Sequence, residues 1–181
     1  RNVTGVQPCP LPICSGRLAE PDVILGSLRQ VLGRNGDLAG LRIMVTAGGT
    51  EESIGPVRFI SNRSTGKMGY AVAEAARDRG ALVTLVHAPT GIATPVGVQN
   101  VPVVSAQEMY DAVVADYSDL DVLIMAAAVA DFRPVSAADQ KIKKRHVTMS
   151  IELEPTRDIL GATADCEPRP LRIGFAAETT N

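Results

Sequence analysis

LRIMVTAGGTEESIGPVRFISNRSTGKMGYAVAEAARDRG, residues 41–80, changes its period twice, and those changes decide the fold. Leu41 to Ala47 is a largely apolar run of strand length without the alternation of a half-exposed strand. It empties into Gly48-Gly49-Thr50. A loop follows, then Ser64-Thr65-Gly66-Lys67-Met68-Gly69. From Met68 the period is helical: Met68, Ala71, Val72, Ala75 and Ala76 recur at helical steps. Gly80 ends that helix, and Leu82 to Val86 is the next strand. The unit is β–loop–α–β with glycines where the strand ends. Glycine lets a backbone approach a bulky anion, and a helix N-terminus offers unpaired N–H groups. Gly48, Ser64, Gly66 and Gly69 therefore read as a phosphate loop. A glycine turn required only by close packing has the same spacing.

Outside this unit, composition narrows the field. The chain has 181 residues, 45% hydrophobic, with a net charge of −2. That length supports one α/β core. A basic excess that would favour nucleic acid is missing, as are Trp residues for base stacking. The apolar runs are too short for membrane spans, and no signal peptide opens the chain. Cys9, Cys14 and Cys166 lack metal spacing, and His87 and His146 stand apart. We therefore expect no protein-held metal, no membrane, and reduced thiols in a cytoplasmic setting.

Residues 1–20 are rich in Pro and Gly and read as a linker. Glu20-Pro21-Asp22 opens a helix with the apolar stripe Val23, Ile24, Leu28, Val31 and Leu32. Val98 to Val104 is a strand that Pro102 moves toward an edge. Ser105-Ala106-Gln107-Glu108 is a capping box, and its helix should bury Met109, Ala112, Val113 and Tyr117. Asp121 to Ala130 reads as a strand covered on both faces, ending at Asp131. Ligands of open α/β sheets bind at that carboxyl end, which makes Asp131 a binding candidate; a turn residue is the alternative. Lys141-Ile142-Lys143-Lys144-Arg145 is the densest cation source, after none from Gly80 to Phe132. It is either a solvated run or a polyphosphate contact. Val147 to Leu153 alternates like a strand, Thr156 is a helix cap, and Leu171 to Ala177 is a last buried strand. The fold class is an α/β, Rossmann-like three-layer sandwich with a mostly parallel central sheet.

Two familiar phosphate motifs do not fit. A dinucleotide fingerprint needs G-x-G-x-x-G directly after the strand and an acid for the ribose about 20 residues on. Here Gly48 and Gly66 are far apart, and Ala81 to Gln107 contains no Asp or Glu. A Walker loop needs Ser or Thr after Gly66-Lys67, where Met68 stands. An NAD(P)-binding oxidoreductase remains the alternative enzyme. A non-catalytic nucleotide-binding fragment is the alternative outside catalysis.

Several stretches together carry a resemblance. They are Val45 to Thr50, Pro56 to Gly69, Ala127-Ala128-Val129-Ala130-Asp131-Phe132, Lys141 to Lys144, and Gly174 to Thr179. In this order the chain resembles the phosphopantothenoylcysteine synthetase family, the synthetase half of bacterial bifunctional coenzyme A biosynthesis proteins. Gly16 to Pro21 resembles the junction after the decarboxylase half. The resemblance implies residues 1–20 as a linker or tail of an absent decarboxylase domain. Residues 21–181 become a synthetase domain that is incomplete at its C-terminal end, since the family continues into a lysine-bearing segment. The implied reaction activates 4′-phosphopantothenate with CTP and Mg2+ to an acyl-cytidylate. L-cysteine then displaces CMP, and FMN belongs only to the absent half. A homodimer is implied, within a larger bifunctional assembly.

The resemblance also implies roles. Asn62 takes the catalytic position beside the acyl-cytidylate. Met125, Ala126, Ala127, Asp131, Lys141, Arg157, Asp158, Ile159, Leu160 and Phe175 take nucleotide-binding positions. The chain departs from the family with Gly55 in place of the usual Asp and Arg157 in place of a common Pro.

Overall fold

The computed structural model describes residues 18–143, 148–164, 166–167 and 169–176. The expectations for the 1–17 linker, Cys9, Cys14, Lys144, Arg145, His146 and the terminal Ala177 to Asn181 lie outside those residues.

β1 (Arg42–Ala47) is the centre of a parallel sheet ordered β5-β4-β1-β6-β9. Its neighbours are β4 (Leu82–His87) and β6 (Val122–Met125). Ile43 stands opposite Val83 on one side and Val122 on the other. β5 (Gln99–Pro102) and β9 (Leu171–Gly174) form the edges. Pro102 ends β5 on such an edge, where its missing N–H costs no ladder bond.

Alternation along β1 sorts two cores. Ile43, Val45 and Ala47 meet Tyr70, Ala73 and Ala76 of α2 (Lys67–Asp78). Met44 faces the other way, toward Met109, Val113 and Tyr117, with Val86 and Leu123. Met109 and Val113 belong to α3 (Ala106–Asp116), whose start is the expected capping box of Ser105 and Glu108. The result is the expected three-layer Rossmann-like sandwich. Two antiparallel pairs decorate it: β2 (Glu51–Ser53) with β3 (Phe59–Ser61), and β7 (Phe132–Pro134) with β8 (Leu153–Pro155). Among the described residues no helix is long and apolar enough to cross a membrane.

Several sequence expectations need correction. The buried face of α2 is Gly69, Tyr70, Ala73, Ala76 and Arg77, while Met68, Ala71 and Ala75 are exposed. Gly69 sets that rotation. A Cβ there would fall 2.6 Å from Ala47 Cβ and 2.8 Å from the Thr46 carbonyl. α1 (Pro21–Gly33) likewise turns its small residues inward. A Cβ on Gly33 would strike the Asp78 carbonyl, so Leu28, Val31 and Leu32 of the apolar stripe face out.

β6 stops at Met125, well before Ala130. Among the described residues of the expected 147–153 strand, only Leu153 at its end is in a ladder. Asp158, not Thr156, caps the short helix α4 (Ile159–Ala162). β9 is an exposed edge strand and not a buried one, with Leu171 62% accessible.

Candidate active site

Past β6 the regular ladder stops, and the chain stays beside the residues that follow β1, with one isolated parallel bridge between Gly49 and Ala128. Buried hydroxyl groups hold it there. Thr46, pointing off β1, accepts the N–H groups of Ala126 and Ala127 at 3.2 and 3.1 Å. Thr50 accepts the N–H of Ala130 at 2.9 Å. The backbone adds a bond from Ala128 N–H to the Gly48 carbonyl at 2.8 Å. Both threonines are fully buried, so their oxygens have no competing water. This explains the overlong strand expected from sequence. Val122 to Met125 is apolar because it is in the sheet. Ala126 to Val129 is small because it folds against Thr46 and the glycine turn.

The strapped segment is the floor of a cleft of about 250 Å³. Met125, Ala127, Val129 and Ala130 form the floor, and Thr156 to Leu160 face it. Asp131, Gly174 and Phe175 complete the lining. The facing wall is tied down in turn. Thr156 donates to the Ala130 carbonyl at 2.5 Å, and its N–H donates to Asp131 O at 2.9 Å. The Asp158 carboxylate accepts Gly161 N–H at 2.9 Å. Ile159 is buried in the α3-side core. The Arg157 guanidinium lies 5.0 Å over the Tyr110 ring at the rim, a cation–π contact. Phe175 hangs from the edge strand by its N–H to the Met125 carbonyl at 3.1 Å, with 51% of its surface exposed.

Of the residues singled out in the sequence, this cleft gathers Met125, Ala127, Asp131, Arg157, Asp158, Ile159, Leu160 and Phe175. Ala126 belongs to the same floor through Thr46. Asn62 stands beside it: its side-chain amide donates to the carbonyl of Val129, a floor residue, at 3.0 Å. Gly48 and Gly66 form the neighbouring turn, both with positive φ, 84° and 75°. Ser64 Oγ accepts Gly66 N–H at 3.3 Å. Gly69 lies inside α2, where packing against β1 accounts for it. Lys141 is exposed and does not line the cleft. It lies in the segment that Arg58 contacts by donating to Ile142 O at 3.0 Å.

Thr46 and Thr50 escaped the sequence reading as site residues, and Thr156 entered it only as a helix cap. For Thr46 a hydroxyl within an otherwise apolar run was the available signal, since a buried one must find a partner. Among the described residues no group of three or more His, Cys, Asp and Glu could hold a metal ion.

A family described as DNA/pantothenate metabolism flavoprotein C-terminal domain matches residues 38–181. A coenzyme A biosynthesis bifunctional protein CoaBC of Vibrio vulnificus is 47% identical over 169 residues, covering 92% of this chain and 42% of that protein. The CoaBC of Mycobacterium tuberculosis is 49% identical over 177 residues, covering 91% of this chain and 42% of that protein. The chain thus spans well under half the length of these curated relatives. A crystal structure of the C-terminal domain of a CoaBC superposes with a TM-score of 0.69 at 50% identity, covering 79% of this chain and 67% of that one. A Cab2 variant in complex with phosphopantothenate-cysteine shares the fold, with a TM-score of 0.58 at 19% identity and coverage of 80% and 64%.

Proposed function

The chain belongs to the DNA/pantothenate metabolism flavoprotein C-terminal domain family, and from that premise we propose that it is a CTP-dependent phosphopantothenate–cysteine ligase. It would activate the carboxylate of 4′-phosphopantothenate as an acyl-cytidylate, releasing pyrophosphate. The amine of L-cysteine would then displace CMP to give 4′-phosphopantothenoylcysteine. One observation carries this reading. An acid, an arginine and an exposed aromatic ring converge on one cleft at the carboxyl edge of a parallel sheet.

The chemistry suits these parts. A carboxylate is a poor electrophile, and transfer to a nucleotide turns its oxygen into a leaving group. That step needs positioning and compensation of phosphate charge more than covalent help from the protein. The cleft volume lies near the lower end of ligand sites, so it suits the nucleoside end. The phosphates would then run toward the Gly48–Gly66 turn and the start of α2, where a helix N-terminus favours anions. Asn62 stands beside the floor, and in this reading its amide would meet the activated acyl group. Mg2+ would arrive with the triphosphate. A donor set of one carboxylate, Asp131, with phosphate oxygens and water is ordinary for that ion. It would neutralise charge developing on the phosphates.

The homodimer implied by the resemblance has an apolar face to use. Phe59, Phe132, Val135, Met149 and Leu153 are exposed on or beside the two small sheets.

The test is pyrophosphate release with CTP, Mg2+ and 4′-phosphopantothenate, followed by quenching with and without cysteine. Asn62→Asp should form the acyl-cytidylate and convert it at least about a hundredfold more slowly. Unchanged conversion would remove Asn62 from the reaction. No pyrophosphate from the wild type, together with tight NADPH binding, would replace the ligase by an oxidoreductase.

A further inference from the structure

We propose that Thr90 is a positioning residue whose methyl group holds the two left-handed glycines, Gly48 and Gly66, against each other, and so sets the anion turn. The proposal deepens the nucleotide reading above and rests on it.

The two glycines come from opposite ends of a long loop, yet their backbones touch. A Cβ built on Gly66 would lie 3.3 Å from Gly48 N and 3.4 Å from Gly48 Cα. Both φ angles, 84° and 75°, are in the region that only glycine enters cheaply. Such a contact has no side chains of its own to fix its spacing. Thr90, on the loop after β4, supplies one from outside. Its Cγ2 lies 3.1 Å from the Cβ position of Gly48 and 2.8 Å from that of Gly66. One methyl therefore abuts both turns.

The orientation of Thr90 is itself fixed from the opposite side. Its hydroxyl donates to Tyr70 Oη at 3.0 Å and accepts Ile92 N–H at 3.3 Å. β-branching itself leaves such a side chain few χ1 rotamers, and the one seen here aims the methyl at the glycines while the oxygen makes these two bonds. Tyr70 is buried in the α2-side core, its ring edge-on to His87 at 5.6 Å between centroids. A continuous column thus runs from that core through Tyr70 and Thr90 to the two glycines. Thr90 does not line the cleft, so its part is to hold the turn. A backbone cradle works only if its N–H groups are aimed before the anion arrives, and an error of about 1 Å in such a site can cost ~100-fold.

The experiment compares Thr90→Ser, which keeps the hydroxyl and loses the methyl, with Thr90→Val, which keeps the methyl and loses the hydroxyl. The intact protein is assayed with CTP and Mg2+ as varied ligands. Thr90→Ser should raise the KM for CTP about tenfold, with kcat changed less than about threefold, while Thr90→Val stays within about threefold in KM. In ligand-free protein, amide exchange at residues 48–50 and 66–68 should quicken in Thr90→Ser and not in Thr90→Val. Wild-type KM and exchange in Thr90→Ser would overturn the proposal. So would equal impairment of both variants, which would assign the effect to the hydroxyl. If the wild type binds no CTP, the nucleotide reading fails by itself, and the exchange arm still decides whether Thr90 holds the turn.

Discussion

The floor of the candidate cleft and its outer wall are built by opposite means. The floor, residues 125–130, has no regular structure beyond Met125, yet Thr46, Thr50 and Gly48 take up four of its N–H groups. The wall at Gly174 and Phe175 continues regular β9, yet it is an exposed edge held by one ladder to β6. Regularity and rigidity are therefore separate properties here. The irregular floor keeps one fixed shape, because its own polar groups are bonded internally and buried hydroxyl groups with no water competitor define it. The edge wall can meet a ligand with a large apolar ring that is half exposed. A nucleobase would be read by the first and covered by the second.

Removing the straps is the strongest way to break this contrast. Thr46→Val keeps shape and volume but leaves the Ala126 and Ala127 N–H groups without their acceptor. We expect a loss of about 3 kcal/mol in urea unfolding, from ~1–3 kcal/mol per orphaned group. CTP binding measured by calorimetry should fall by more than about tenfold, since the floor no longer holds one conformation. A variant of native stability would mean that the floor is fixed by packing alone.

A smaller effect should follow where wall and floor meet. Thr156→Val removes the hydroxyl that donates to the Ala130 carbonyl but keeps the backbone bond to Asp131 O. The wall then keeps one of its two links. A stability loss of about 1 kcal/mol and a CTP affinity about fivefold weaker are expected. An affinity loss as large as that of Thr46→Val would show that the two sides of the cleft are equally soft, and the contrast would fail.

The same contrast explains what could be read in the residues beforehand. The β1–loop–α2–β4 unit was legible because a run of apolar residues and a run of helical period cannot exchange roles. The site's wall was named only through a resemblance in Arg157 to Leu160 and Phe175, because Asp158 also caps α4 and Ile159 also fills the core, so residue type alone did not mark them. The floor was not. Ala126 to Val129 looks like sheet because small apolar residues suit both a buried strand and a strapped loop, and the deciding partner, Thr46, is about 80 positions away along the chain. The helix faces failed for a related reason. Gly69 and Gly33 turned α2 and α1 by allowing close approach, with a would-be Cβ only 2.6 Å from Ala47 Cβ at the first and 1.8 Å from the Asp78 carbonyl at the second, a factor that hydrophobic period does not record. Lys141 was legible as a cation and not as a location, because a charge run fixes no geometry of its own.

The least effect should come from a pair remote from both regions, and its direction is fixed by charge. The Arg79 guanidinium hydrogen-bonds the Asp37 carboxylate and lowers its pKa from the ordinary 3.8. Both side chains are more than half exposed, so solvent screens the pair and its contribution is small. A folded-state value below the unfolded one means that the contribution is present above pH 3.8 and disappears as pH falls through the lower folded value. Asp37→Asn should therefore leave pyrophosphate release unchanged at neutral pH and lower the melting temperature slightly there. The difference from wild type should shrink to nothing once pH falls below the lowered folded value, where the wild-type carboxyl is protonated in the folded state too. A gap that persists at the acid end would trace to the Asp37 side chain's packing and not to its charge. A change in catalytic rate would mean that the α1–α2 connection reaches the cleft, and the cleft's dependence on its local hydroxyl straps would have to be abandoned.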